Sequence, residues 1–257
     1  MKSLLDREVD RFEQPAFIQS DPISVPHRYQ YLPDIEIAGL FAAVFAWGLR
    51  KTIINKSLEL MRLMDDAPYD FILNHTDQDL KVLEKFRHRT FQPPDTLYFV
   101  HFLHEYYHQY DSLEEAFRDE NNEFEDLENG LNRFRDRFFS SPYALDRCRK
   151  HIPSPARNST TKRINMYLRW MVRSSEKGVD FGLWKQISPS QLYIPLDVHV
   201  RRVATALGLL TRTQNDWKAV VELTANLQKL DPQDPVKYDF ALFTMGLEER
   251  KWSVKPV

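Results

Sequence analysis

The sequence predicts an all-α protein, on three observations. Glycine occurs only 7 times in 257 residues, few segments alternate apolar and polar residues, and apolar residues recur instead at helical spacing. Residues 34–64 read as one long buried helix, with Asp34 as its N-cap and Ile35, Ala38, Ala42, Phe45, Leu49 and Ile53 along it. Short helices follow at 69–73 and 77–86. Pro93-Pro94 breaks the chain, and Asp95 opens an aromatic helix reaching about Tyr110. Helices at 112–118 and 125–139 lead to Pro142 and then to a segment at 143–151. A proline-bearing loop, 153–158, precedes a helix over 160–173 capped by Ser159 or Thr160. Residues 174–193 form a long excursion with Gly178, Gly182 and Pro189. Pro195-Leu-Asp197 starts a helix that ends at Gly208, a natural C′ glycine. Thr213 or Asn215 caps a helix to about Leu230, and Asp234-Pro235 opens the last, over 234–249. No internal repeat or low-complexity tract interrupts this series. The expected organisation is two helical lobes, 34–141 and 142–257, with 1–33 packing across them.

Hydrophobic residues make up 42% and charged residues 28%, a balance that excludes a disordered chain. The opening MKSLLDREVDRFEQP is charged throughout and does not read as a signal peptide. The longest apolar stretch, 37–49, is too short to span a bilayer and ends in Arg50-Lys51. A single cysteine, Cys148, leaves no partner for an internal disulfide and excludes a multi-cysteine zinc site. A cytoplasmic protein with no cofactor and no membrane partner is expected.

The net charge of −2 argues against nucleic acid, but its distribution argues for it. Asp111, Glu114, Glu115, Asp119, Glu120, Glu123, Glu125, Asp126 and Glu128 crowd one segment. Between Arg147 and Arg173 there is no acid, while Arg147, Arg149, Lys150, Arg157, Lys162, Arg163, Arg169 and Arg173 all occur. Such a stretch can neutralise several phosphates, or it can be a solvated helix face balanced by the acidic segment.

Within the basic stretch, Lys162 falls in the first turn of its helix. The positive end of the helix dipole, Arg157 and Arg163 all disfavour an ammonium there. The neutral amine has a lone pair that can attack carbon and form a Schiff base. A lysine that merely points into solvent fits the same position. Asp197, in Tyr-Ile-Pro-Leu-Asp-Val-His-Val, reads first as an N-cap, and a carboxylate held there can also stabilise positive charge. The two roles are compatible.

The run Thr161-Lys162-Arg-Ile-Asn-Met-Tyr-Leu-Arg-Trp, followed by Ile194-Pro-Leu-Asp197-Val-His-Val, resembles the helix-hairpin-helix DNA glycosylase superfamily, most closely its 8-oxoguanine glycosylase branch. The whole chain is also similar to a bacterial family, found largely in Bacteroidetes, that itself looks like a distant member of this group. The resemblance implies a two-lobed helix-hairpin-helix glycosylase-like fold, and the single cysteine excludes an iron–sulfur cluster in it. It also implies a monomer, associated with the nucleoid, acting on double-stranded DNA that contains a damaged base such as 8-oxoguanine. A flipped nucleotide would enter the protein. Lys162 would displace the base from C1′, Asp197 would stabilise the charge developing on the sugar, and the Schiff base would allow strand cleavage by β-elimination. Arg157, Asn158, Ser159, Arg163, Arg50 and His199 would contact DNA, and Trp47 and His27 would border the base pocket. The chain departs from the family pattern in two places. Its hairpin, 152–162, has no glycine where Leu-Pro-Gly-Val-Gly is usual, leaving Asn158 to supply a left-handed turn. The Lys–Asp separation is also extended, around 174–192.

Two other functions compete. A binding protein of the same fold, without catalysis, would suit the glycine-free hairpin. His104-Glu105-Tyr-Tyr-His108 is an H-E-x-x-H pattern on a helix, the arrangement of zinc hydrolases, with Glu128 as a conceivable third ligand.

Overall fold

Helices form wherever the sequence places apolar residues three and four apart, and they end at prolines, left-handed residues or caps. The computed structural model describes residues 1–119, 126–174 and 176–248. Glu120, Glu123 and Glu125 of the acidic segment, and the expected final residue of the last helix at 249, lie outside the described residues. In chain order the α-helices are α1 (Lys2–Phe12), α2 (Pro15–Ile18), α3 (Leu32–Phe45), α4 (Arg50–Leu63), α5 (Pro68–Asn74), α6 (Asp77–Leu80) and α7 (Pro93–Tyr107). They continue with α8 (Leu127–Phe138), α9 (Lys162–Val172), α10 (Val198–Ala206), α11 (Trp217–Gln228) and α12 (Tyr238–Leu247). Among the described residues there is no strand, only the isolated bridges His88–Phe91 and Ser174–Phe181. The all-α expectation holds. No helix among them is long and apolar enough to cross a membrane.

Several boundaries differ from expectation, each for a local reason. The helix expected over 34–64 is two helices, because the backbone turns at Gly48 with φ +104°, a conformation L side chains rarely adopt. Asp34 is not its cap: α3 starts after Tyr31, and the Asp34 carboxylate instead accepts the Tyr69 N–H of α5 at 2.9 Å. Asp95 sits one turn inside α7 and closes a capping box, its Oδ2 accepting the Gln92 N–H at 2.8 Å. The segments expected at 112–118 and 143–151 are 3-10 turns, Leu113–Phe117 and Asp146–Lys150. Asp216, rather than Thr213 or Asn215, caps α11 through the Ala219 N–H. Gly208, at φ +70°, stops α10 as expected. α1 was not anticipated, and its buried Leu5 and Val9 are the i, i+4 pair that forms it.

The chain divides into two compact units: Ile18–Pro153, and Met1–Phe17 together with Ser154–Val257. In the first, α3 is buried along almost its whole length. Its Glu36 is fully buried and held by three donors, Tyr107 Oη at 2.8 Å, Ser112 Oγ at 2.6 Å and the Leu113 N–H at 3.0 Å. Asp95, also fully buried, takes both arms of Arg147 at 2.9 Å and the Cys148 thiol at 3.2 Å. Burial pushes the Asp95 carboxyl up, but His151, Arg147 and the Gln92 N–H hold it well below the usual carboxylate range. These contacts bind residues as far as His151 to α7, so this unit ends at Pro153 rather than near 141.

In the second unit α12 is central, with α1 and α10 packed along it. Gly246 lets α10 approach: a Cβ there would lie 2.8 Å from His199 Cβ and 3.1 Å from its backbone. Two buried arginines, Arg169 of α9 and Arg173 at its C-cap, bind the rest. Arg173 pairs with Glu13, with Asp180 at 3.0 Å and with Asp234 at 2.8 Å, while Arg169 pairs with Asp180 at 3.3 Å and with Asp239. Both guanidiniums lie over the Phe240 ring, at 4.4 and 5.5 Å. Because Glu13 belongs to this lock, residues 1–17 fold with the C-terminal unit.

Candidate active site

The turn that delivers Lys162 is built without glycine. After the 3-10 turn Pro155–Arg157, Asn158 takes the left-handed conformation the sequence suggested, at φ 54° and ψ 28°. Thr161 repeats it at φ 46° and ψ 26° and is the N-cap of α9, so the cap is neither Ser159 nor Thr160. Its side chain makes no capping bond; the Ser159 hydroxyl accepts the Thr161 N–H at 3.3 Å, and Asn165 Nδ2 reaches the Thr160 carbonyl at 3.3 Å. Lys162 is then the first residue of α9 and partly exposed.

Asp197 is the N-cap of α10, as its position before the helix required. One oxygen, Oδ1, accepts the N–H groups of His199 at 2.8 Å and Val200 at 2.9 Å. Both cap bonds fall on that one oxygen. The adjacent Val198 is 67% exposed, so the cap lies at the surface.

Asp239, on α12, is the residue that sequence reasoning missed. It is 6% exposed, and Arg169 occupies its Oδ2. Burial pushes its carboxyl up to about 6; the negative charge of Asp197 adds to this, while Arg169 and Lys162 pull the other way. Lys162 and Asp197, far apart in sequence, thus bear on one buried carboxyl. The available signal was a lone acid in the otherwise apolar run Tyr238-Asp-Phe-Ala-Leu-Phe.

The remaining expected residues fall out unevenly. Arg157 and Asn158 are exposed at the hairpin and Ser159 is partly so. Asn158 Nδ2 reaches Asp216 Oδ2 at 3.5 Å, and Arg212 Nε donates to Asp216 Oδ1 at 2.7 Å. Those bonds, Arg212's first, hold the Asp216 carboxyl below its ordinary range, so a carboxylate stands beside the hairpin. Burial alone pulls the half-buried Arg163 guanidinium down to about 10. His199 turns toward α12, with Nδ1 3.3 Å from the Gly246 carbonyl and its ring edge-on to Phe243. Trp47, Arg50 and His27 belong to the other unit, Ile18–Pro153. There Arg89 covers the Trp47 ring at 4.4 Å, Arg50 lies 3.8 Å from Asp21, and His27 sits half-buried in the 3-10 turn Pro26–Arg28.

The acid-free stretch is not a continuous basic face. Arg147 is bound to Asp95, Arg149 to Asp146 at 2.7 Å, and Arg169 and Arg173 to the buried acids of their unit. The H-E-x-x-H residues are likewise engaged. His104 Nδ1 lies 2.8 Å from the Ile72 carbonyl, His108 Nδ1 lies 2.8 Å from the His104 carbonyl, and Glu105 lies beside His101. Glu128 is in the first turn of α8, and among the described residues no group of three or more side chains is arranged to hold a metal ion.

No curated protein and no solved structure matches this chain. A family model does match, over residues 21–248, and the chain therefore belongs to the family described as "Protein of unknown function (DUF2400)".

Proposed function

We propose that the protein is a DNA N-glycosylase with abasic-site lyase activity, using Lys162 as its nucleophile. The observation that carries this is the placement of Lys162 as the first residue of α9 and of Asp197 as the N-cap of α10 within one compact unit. A primary amine at a helix start, a capped carboxylate with one oxygen to spare and a buried acid make a set suited to attack on an electrophilic sugar carbon. Lys162 Nζ attacks C1′ as the bond to the damaged base breaks, with the departing electron pair leaving on the base. Asp197 stabilises the positive charge that builds on the sugar ring. The C1′–O4′ bond then opens, O4′ taking a proton given up by the nitrogen, and the Schiff base so formed acidifies the neighbouring C2′ proton, so that β-elimination expels the 3′ phosphate and cuts the strand. The favoured substrate is an oxidised purine such as 8-oxoguanine in duplex DNA.

Borohydride trapping tests the proposal. Wild type is expected to form a covalent adduct with abasic or 8-oxoguanine duplexes, and Lys162→Ala to form none. An adduct that survives Lys162→Ala would sink the assignment. The glycine-free hairpin, with Asn158 and Thr161 in the left-handed conformation, favours a second reading, a DNA-binding protein of the same fold without catalysis. Duplex binding with no adduct on any lesion would select it.

A further inference from the structure

We propose that His104 and His108 chelate a divalent transition metal ion at the end of α7, within the unit Ile18–Pro153. This does not rest on the assignment of Lys162. α7 ends at Tyr107 with His108 as its C-cap, so the two imidazoles stand one helical turn apart on one face. Their ring centroids lie 4.3 Å apart. His104 Nδ1 lies 2.8 Å from the Ile72 carbonyl of α5, and His108 Nδ1 lies 2.8 Å from the His104 carbonyl. A carbonyl oxygen only accepts, so each Nδ1 carries a hydrogen, and in the neutral ring the lone pair belongs to Nε2. Among the described residues neither Nε2 has a hydrogen-bond partner.

This is the arrangement of a ligating imidazole: one nitrogen is pinned by a carbonyl, which sets tautomer and ring orientation, and the other is left to bind. The pinning is reinforced from α5. His75, the C-cap of α5, has its Nδ1 3.0 Å from the same Ile72 carbonyl and its ring centroid 5.1 Å from that of His104. A zinc–nitrogen bond of about 2.0–2.1 Å needs the two Nε2 atoms within about 4 Å of each other, a spacing that rings this close can adopt. Among the described residues no third side chain completes a ligand set, and His108 is exposed, so water fills the remaining positions. Two imidazoles with water suit Cu2+, Ni2+ and Zn2+, with Cu2+ held most tightly. They do not suit Mg2+ or Ca2+, which take oxygen ligands. Glu105, the residue that would serve as base in a hydrolase, lies instead beside His101 at 3.7 Å. The ion is therefore bound without a catalytic partner, and its effect is to fasten the last turn of α7.

The test is calorimetric titration of the full chain with zinc chloride. Wild type should bind about one Zn2+ per chain, and magnesium chloride should give no binding. His104→Ala and His108→Ala should each weaken zinc binding by about 10-fold or more. His108→Asn keeps a donor for the His104 carbonyl and removes the ligand, so it should lose zinc to the same extent while keeping the metal-free thermal midpoint. Zinc should raise the midpoint of wild type and leave that of His108→Asn unchanged. With Cu2+ in place of zinc, electron paramagnetic resonance should show coupling to two imidazole nitrogens in wild type and to one in His108→Asn. Zinc bound equally by wild type and His108→Asn, or by neither, overturns the proposal, as does Mg2+ bound as tightly as zinc. Should His104→Ala fail to fold, His108→Asn decides alone.

Discussion

In the proposed reaction Asp197 has two duties on two oxygens, and an amide separates them. Asn caps helices about as well as Asp, so Asp197→Asn should keep the bonds to the His199 and Val200 N–H groups and change stability by less than about 0.5 kcal/mol in urea denaturation. Without the charge, trapping should fall about 100-fold or more. A large loss of stability with full trapping would make Asp197 a cap and nothing else. Asp239 makes a different statement about pH. Its folded pKa is raised above the unfolded value, so the folded state binds the extra proton between about 4 and about 6. Its ionisation therefore costs stability as pH rises through that window, by about 3 kcal/mol at most. Unfolding of wild type and Asp239→Asn, compared at about pH 4.5 and about pH 7, should show the balance shifting toward wild type at the lower pH. The residue scale is also where the sequence was hardest to read. The caps at Asp197 and Gly208 follow from local rules. Asp239 is significant only through Arg169, Lys162 and Asp197, none of which is near it in the chain.

At the scale of elements, periodicity found helices and misplaced breaks. Ala42, Phe45, Leu49 and Ile53 continue one apolar rhythm, so nothing in the pattern separates α3 from α4. The break is a backbone event at Gly48, and Arg89 fills the space a side chain would need there, its Nη1 2.1 Å from where a Cβ would stand. α9 shows the converse: Thr161 turns left-handed without being glycine, so composition could not mark the first residue of the helix. Gly246 was equally silent, because its task is to admit a neighbouring helix. Gly246→Ala should push α10 and α12 apart and cost about 1–3 kcal/mol in denaturation. An unchanged midpoint would mean that the His199 backbone gives way without cost.

Over the whole molecule, ion pairs join segments that the sequence presents as unrelated. The stretch from Arg147 to Arg173 reads as a surface for phosphate because its acids are distant; Glu13, Asp180, Asp234 and Asp239 come to it only through folding. Replacing Arg173 should expose how much of the unit depends on that lock. Arg173→Met keeps the volume but strands Glu13, Asp180 and Asp234 with one fewer counter-charge. A loss of about 3–5 kcal/mol is expected in chemical denaturation, as for other buried pairs broken on one side. A stability within about 0.5 kcal/mol of wild type would show that the acids simply take up protons at little cost.

The membership of residues 1–17 in the C-terminal unit has a bearing on synthesis. α1 leaves the ribosome before the Ile18–Pro153 unit, yet α12, the helix it packs against, emerges only after that unit. The contiguous unit from Ile18 to Pro153 is complete while translation continues, and domains generally fold as units from the N-terminus as they appear. α1 must therefore wait, tethered ahead of a finished neighbour, with Leu5 and Val9 uncovered until α12 has emerged. A product that stops short of α12 would carry α1 without the helix it packs against and be open to proteolysis.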